Sequence, residues 1–203
     1  MTFETHPPRR LLVIGGGMVA RRLTDAIRDR DTDGTWQVTV LAEEPRAPYD
    51  RVALTTYFSG REPDDLALGN QDLWSDPLVS LRRGVAATAI DRDARLVTAS
   101  DGRTYGYDAV VLATGSYAAK PPVPGDDRRG AFVYRTIDDV ADLRHYVEEL
   151  RQRSPERSPR GVVVGGGLLG LEAAGAINAL AVETTVVEFA DRLMPLQVDQ
   201  GGG

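Results

Sequence analysis

An α/β fold built on parallel strands follows from three features of this 203-residue sequence. Two short apolar runs, "RLLVIG" (10–15) and "GVVVG" (161–165), end in glycines and pass at once into helical patterns. Each of those helical patterns is followed by a further strand pattern, so each forms a β-α-β unit, whose strands pair in parallel. Between the two units lies a long alternating stretch with turn signals and no helical stripe, which predicts an inserted antiparallel β-meander.

Taken in order, "RLLVIG" is apolar throughout and is predicted to be a strand buried on both faces. "MVARRLTDAIRDR" (18–30) places Val19, Leu23, Ala26 and Ile27 on one helical stripe. "DTDG" breaks that helix, and "WQVTVLAEE" (36–44) alternates as the next strand. Residues 45–60 read as a loop followed by a short helix. "LVSLRRGVAATAIDRDARLVTASDGRTYGYD" (78–108) reads as a meander of three or four short strands, with turns at "DRD" and "DGR". "AVVLATG" (109–115) returns to a buried strand, and the prolines of "KPPVPGDD" (120–127) make a linker. "TIDDVADLRHYVEELR" (136–151) is an amphipathic helix with Thr136 as its N-cap and Asp139 three residues on. A strand (161–165), a helix (168–180) and a strand "TTVVEF" (184–189) complete the second unit. The predicted domains are 1–118 and 119–203.

Composition narrows the chemistry. Apolar residues make up 42%, enough to build a core, and charged residues 27%. The net charge of −6 disfavours binding to nucleic acid, which needs clustered positive charge. The arginines of "RQRSPERSPR" (151–160) read as part of a solvated loop. With no cysteine there is no disulfide, thiolate metal site or dithiol redox motif in the chain. His6 and His145 lack metal-ligand spacing, so no metal site is expected. There is no apolar leader and no run of membrane-spanning length, which gives a cytoplasmic expectation with no membrane partner.

Each glycine loop meets the context that gives such a motif meaning, a strand before it and a helix after it. In Gly15-Gly16-Gly17-Met18-Val19-Ala20 the first glycine permits the tight turn. The second lets the backbone approach a pyrophosphate, and the small third residue lets helix and strand pack closely. The phosphates then meet the free N–H groups of a helix N-terminus. Glu43, 28 residues after Gly15, closes the second strand and is placed to accept from a ribose hydroxyl. Gly165-Gly166-Gly167-Leu168-Leu169-Gly170 repeats the pattern, with Glu188 as its acidic partner 23 residues after Gly165. The carboxylate of Glu188 favours NADH over a 2′-phosphorylated nucleotide, with Arg192 close by as the counterargument. Two nicotinamide sites would serve no chemistry. A flavin beside a nicotinamide does, because hydride passes from C4 of the nicotinamide to N5 of the flavin. FAD and NADH are the cofactors so implied, on a Rossmann-type FAD-binding domain with an inserted meander followed by an incomplete NADH-binding β-α-β domain.

The stretches "TVLAEEPRAPYDRVALTTYFSG" (39–60), "LATGSYAAKPPVPG" (112–125), "FVYRTIDDV" (132–140) and "GVVVGGGLLGLEAAGAINALAVETTVVEFADRLMPLQVDQGGG" (161–203) carry a family resemblance. They resemble the two-dinucleotide, disulfide-reductase-like flavoproteins, and within these the large subunits of NADH-dependent assimilatory nitrite reductases. The likeness covers almost the whole chain. It implies that Gly15, Gly17, Met18 and Glu43 contact FAD pyrophosphate and ribose, and that Ala87 gives backbone contacts to adenine. It further implies that Thr114 and Gly115 form a turn touching FAD, and that Arg51 and Arg135 lie near the flavin. Gly165, Gly167, Gly170 and Glu188 carry over to NADH, and Glu172 resembles an acidic residue that faces the nicotinamide. No residue is assigned as catalytic.

The implied activity is that of a FAD-dependent NADH oxidoreductase in nitrate assimilation, passing electrons to a sirohaem centre. The family's large subunit continues well beyond this length and supplies the iron–sulfur and sirohaem part. The chain therefore reads as an N-terminal or truncated piece of such a subunit or as a short relative, unable to reduce nitrite alone. Its expected partners are that downstream part or the small subunit, with self-association through an uncovered strand edge as a further expectation. An NADH-dependent reductase of rubredoxin or ferredoxin and a non-catalytic nucleotide-binding fragment are the alternatives.

Overall fold

A computed structural model describes residues 7–199 and 201–202 of the chain. His6 lies outside the described residues. The chain divides into two compact units, Met1–Asp50 with Ala67–Ser116, and Arg51–Leu66 with Tyr117–Gly203.

In the first unit β1 (Arg9–Ile14), α1 (Met18–Arg30) and β2 (Trp36–Ala42) form the first β-α-β unit. β1 pairs in parallel with β2 on one side and with β7 (Ala109–Leu112) on the other. Leu11, Leu12, Val13 and Ile14 of β1 are buried on both faces, as their apolar run predicts, while Arg9 and Arg10 are exposed. Leu11 and Val13 pack with Ala20, Val38 and Val40, while Leu12 and Ile14 pack with Leu41, Val97, Ala99 and Tyr107.

Two expectations about this unit need correction. Val79–Arg83, read as part of the meander, is β3 and joins β2 in parallel, giving the strand order β3-β2-β1-β7. Alternation fixes which side chains share a face but not the direction of pairing. The 36 or so residues between β2 and β3 exceed the dozen that a parallel crossover requires. The antiparallel meander is therefore three strands, β4 (Ala87–Asp91), β5 (Leu96–Ala99) and β6 (Thr104–Gly106). The second correction concerns α1. Val19, placed on its apolar stripe, is 68% exposed, and the fully buried positions are Ala20, Arg21 and Thr24. Leu23 and Ile27 do face the core.

Arg21 is buried because it has partners. Its Nε donates to Asp25 at 2.9 Å, its Nη2 donates to the Asn70 carbonyl at 2.6 Å, and its guanidinium lies 5.2 Å from the Trp74 ring centroid. Those contacts hold the segment that follows Ala67 against α1. A bridge from Tyr49 to Ala67, with Leu68 N–H donating to Pro48 O, brings the chain back beside the point where Arg51–Leu66 departs. That excursion packs with the second unit, whereas the sequence division ran the first domain without interruption to residue 118.

The second unit starts from α2 (Ile137–Arg153), whose N-terminus is a complete capping box. Asp139 N–H donates to the Thr136 hydroxyl, and the Asp139 carboxylate accepts from Thr136 N–H. Its buried stripe is Ile137, Val140, Leu143 and Val147. β8 (Arg160–Val164), α3 (Leu168–Ala179) and β9 (Glu183–Val187) form the second β-α-β unit. Leu143 and Val147 pack with Val182, Ile177, Leu180 and with Phe58, which comes from a 3-10 turn over Val52–Ser59. On the opposite face of the β8–β9 pair Val162, Val164 and Val187 are all more than half exposed.

Among the described residues no helix is long and apolar enough to cross a membrane, and no group of His, Asp and Glu could hold a metal ion.

Candidate functional site

The first glycine loop sits where the strand order reverses, between β2 and β7 at the carboxyl end of β1. Open α/β sheets bind ligands at such a point. Gly15 has φ +117°, and a Cβ there would stand 2.1 Å from Ala113 O. Only glycine lets the ends of β1 and β7 approach so closely. A Cβ on Gly16 would meet the Ala42 methyl at 2.3 Å. Gly17 differs. It caps α1 in an extended conformation, and no protein atom lies within 4 Å of where its Cβ would be. No side chain caps α1 and no acid occupies its first turn, so its N-terminal N–H groups face an open space suited to an anion. Ala20, at the third motif position, is fully buried.

The neighbouring candidates gather at the same end of this sheet. Met18 and Glu43 are exposed, Glu43 directly after β2. Val85 N–H donates to Ala42 O at 2.8 Å and Gly84 N–H to Glu44 O at 3.0 Å, which brings half-buried Ala87 beside the end of β2. Thr114 and Gly115 follow β7, and Gly115 (φ +69°) is open around its α-carbon. The exposed carboxylate of Glu43 and the open backbone at Gly115 leave room for a ligand along this end of the sheet.

The second loop is built alike. Gly165 has φ +111°, and its N–H donates to Val187 O at 2.8 Å. A Cβ on Gly170 would stand 1.9 Å from Gly165 O, whereas Gly167 caps α3 with nothing within 4 Å. Glu188 closes the loop. Its Oε2 accepts from Gly166 N–H and its Oε1 from Ala190 N–H. Those N–H groups, Ala190 first and then Gly166, hold its carboxyl below the usual carboxylate range, so it stays ionised. Arg192 is turned into its own loop, with Nη2 donating to Pro195 O at 3.3 Å and Nη1 3.6 Å from Asp191. Glu172 is exposed at the start of the second turn of α3.

Arg51 and Arg135 belong to the second unit. They meet each other, with Arg51 Nη1 donating to Arg135 O at 3.2 Å. Beside them lies a contact that the motifs did not single out, the Thr55 hydroxyl 2.9 Å from the Tyr134 hydroxyl. Both residues sit in stretches that carry the family resemblance, "LTT" and "FVYRT". Their meeting across 79 positions has no local signal.

The profile of the pyridine nucleotide-disulphide oxidoreductases matches residues 9–201. Over 194 residues the chain is 43% identical to the nitrite reductase (NADH) large subunit of Escherichia coli (strain K12), covering 96% of this chain and 22% of that protein. It is 32% identical to the ferredoxin reductase component of chlorobenzene dioxygenase from Cupriavidus sp. (strain PS12), covering 90% of this chain and 42% of the relative. Among solved structures, a ferredoxin reductase from Rhodopseudomonas palustris superposes with a TM-score of 0.78 at 29% identity, over 95% of this chain and 46% of that one. The chain thus spans about a fifth of the nitrite reductase subunit it matches. It belongs to the pyridine nucleotide-disulphide oxidoreductase family.

Proposed function

We propose that this chain is the FAD- and NADH-binding electron-transfer part of a nitrite-reductase-type large subunit. FAD is assigned to the first unit and NADH to the second. The observation that carries the reading is the repeated build of the glycine loops. In each, the first glycine has positive φ, the second is open to solvent at a helix N-terminus, and an acidic residue follows the neighbouring strand.

In the first unit the N–H groups at the start of α1 would donate to the pyrophosphate of FAD and Glu43 would accept from its ribose, with Thr114 and Gly115 along the same edge. In the second unit the start of α3 would receive the pyrophosphate of NADH, and Glu188 has oxygen lone pairs left that would serve its ribose. FAD, when bound, supplies the two-electron acceptor for the hydride of NADH. That transfer needs no protein acid or base. A downstream part of the same subunit, or an associated one, would supply the sirohaem centre that takes these electrons in nitrate assimilation. The likeness to ferredoxin reductases supports a second reading, in which a small electron carrier takes the electrons.

The purified chain, loaded with FAD, should show flavin absorbance that NADH bleaches under anaerobic conditions. A chain that takes up no FAD, or a flavin left oxidised by NADH, overturns the proposal. Reoxidation of the bleached flavin by ferredoxin or rubredoxin would favour the second reading. Glu43→Ala removes one charge-assisted hydrogen bond and should weaken FAD binding by roughly ten- to a hundredfold. Unchanged FAD affinity in that variant would remove Glu43 from the site.

A further inference from the structure

The first unit carries an open cleft of about 590 Å³ that has no part in either glycine loop. It lies at the amino ends of β1 and β2, and Arg9, Arg10, Gln37, Arg95 and Asp108 line it. At about 3.3 Å per residue, β1 sets Arg9 about 20 Å from Gly15 at its other end. Three arginines share the cleft with one aspartate, in a chain whose net charge is −6. Asp108 is engaged by Arg10, accepting from its N–H at 2.7 Å and from its Nη2 at 3.4 Å. The Arg10 guanidinium lies against Gly106, where a Cβ would stand 2.4 Å from Nη1. Arg9 is held differently. Its N–H donates to Thr35 O at 2.8 Å, and its guanidinium lies over the Trp36 ring, 4.4 Å from the centroid. Stacking on an aromatic face leaves the in-plane N–H donors of a guanidinium unused. Arg95 stands in the turn between β4 and β5 with φ +54°, a left-handed conformation that glycine adopts without steric cost. Tyr107 N–H donates to Arg95 O at 3.1 Å and fixes it there. Neither Arg9 nor Arg95 makes an ion pair with any described residue.

We propose that this cleft binds a small molecule bearing a phosphate monoester, at a site separate from those assigned to FAD and NADH. Charge sets the ligand class. Three guanidiniums less one carboxylate leave two positive charges, and a phosphate monoester carries about −1.5 to −2 at pH 7. Its three terminal oxygens accept from guanidinium forks, whose geometry matches them. A single carboxylate would leave one of the positive charges uncompensated. Backbone strain points the same way. A left-handed arginine costs free energy that glycine at the same position would not. Its side chain repays none of that cost through an ion pair within the protein, so the turn alone does not account for an arginine at position 95. A ligand gripped by that side chain does. The size is also apt, because pockets for small ligands span about 300–1,000 Å³. The inference stands apart from the proposed function, since no residue of the cleft belongs to a glycine loop.

The test is an NMR titration of the isotope-labelled chain with inorganic phosphate and, separately, with glycerol 3-phosphate, at constant ionic strength and with acetate as the control. The readouts are the indole N–H of Trp36 and the backbone N–H groups of Arg9 and Arg95, so that an anion at a glycine loop is not counted. Both phosphates should give saturable shifts at these groups, and acetate should give none. Equal affinity for the two would support a site that reads the phosphate group alone, and tighter binding of glycerol 3-phosphate would support one that also holds the esterified part. No saturable shift with either phosphate overturns the inference, as does acetate binding as tightly as phosphate. Arg9→Gln and Arg95→Gly each remove one guanidinium and should weaken phosphate binding about tenfold, the size of one hydrogen bond from a charged donor. Arg95→Gly should nevertheless melt no lower than the unmodified chain, because glycine relieves the left-handed backbone. Unchanged phosphate affinity in both variants overturns the inference. If Arg95→Gly melts lower, the arginine serves the turn and the inference falls.

Discussion

Gly170→Ala is expected to lower NADH affinity by roughly a hundredfold or more and to destabilise the second unit by about 3 kcal/mol. The added Cβ would stand 1.9 Å from the Gly165 carbonyl oxygen; the backbone fixes the Cβ position and the oxygen is itself a backbone atom, so neither can rotate away. Relief requires α3 to retreat from the end of β8. That shift carries Gly167, which caps α3, out of register with Gly165, whose N–H is tied to Val187 O. The N–H groups meant for the pyrophosphate move with it. Gly167→Ala separates the two effects. Its methyl meets no protein atom within 4 Å, and its φ of −80° suits any residue. That variant should melt close to the unmodified chain and still bind NADH poorly, because the methyl occupies the space of the ligand. Calorimetric titration with NADH, beside thermal melts of both variants, decides it. Gly170→Ala with native NADH affinity would mean that α3 and the loop are not the dinucleotide site.

The second large effect is one of stability. Arg21→Met should destabilise the first unit by about 3 kcal/mol, toward the upper range of single substitutions. Methionine keeps much of the side-chain volume but leaves the Asn70 carbonyl without its charged donor, Asp25 without its partner and Trp74 without its cation. A hydrogen bond from a charged donor contributes about 1.5–3 kcal/mol and a desolvated cation–π contact up to about 2 kcal/mol. Against these stands the release of a buried charge, which reduces the net loss. The damage should centre on residues 67–75, the stretch that Arg21 ties to α1. Denaturant unfolding gives the magnitude, and amide hydrogen exchange gives the place. A loss below about 1 kcal/mol would show that the release of the buried charge outweighs the contacts.

Both predictions turn on contacts of different legibility. The constraint at Gly170 lies within one β-α-β unit, and the spacing of glycines along the chain already states it. Turn chemistry and hydrophobic period are local properties, so they located both β-α-β units, the Thr136 capping box and the two acidic strand ends at Glu43 and Glu188. They also fixed the family through the strings around the loops. The tertiary structure decided whatever depends on distant partners. It set β3 parallel to β2, because alternation carries no direction. It buried Arg21 in place of Val19, because a backbone carbonyl and an indole ring 49 and 53 positions away compensate the charge. It gave Arg51–Leu66 to the second unit, where Phe58 finds the apolar side of α3. And it joined Thr55 to Tyr134, because a side chain's local sequence sets its chemistry while only the folded chain supplies the acceptor for its proton.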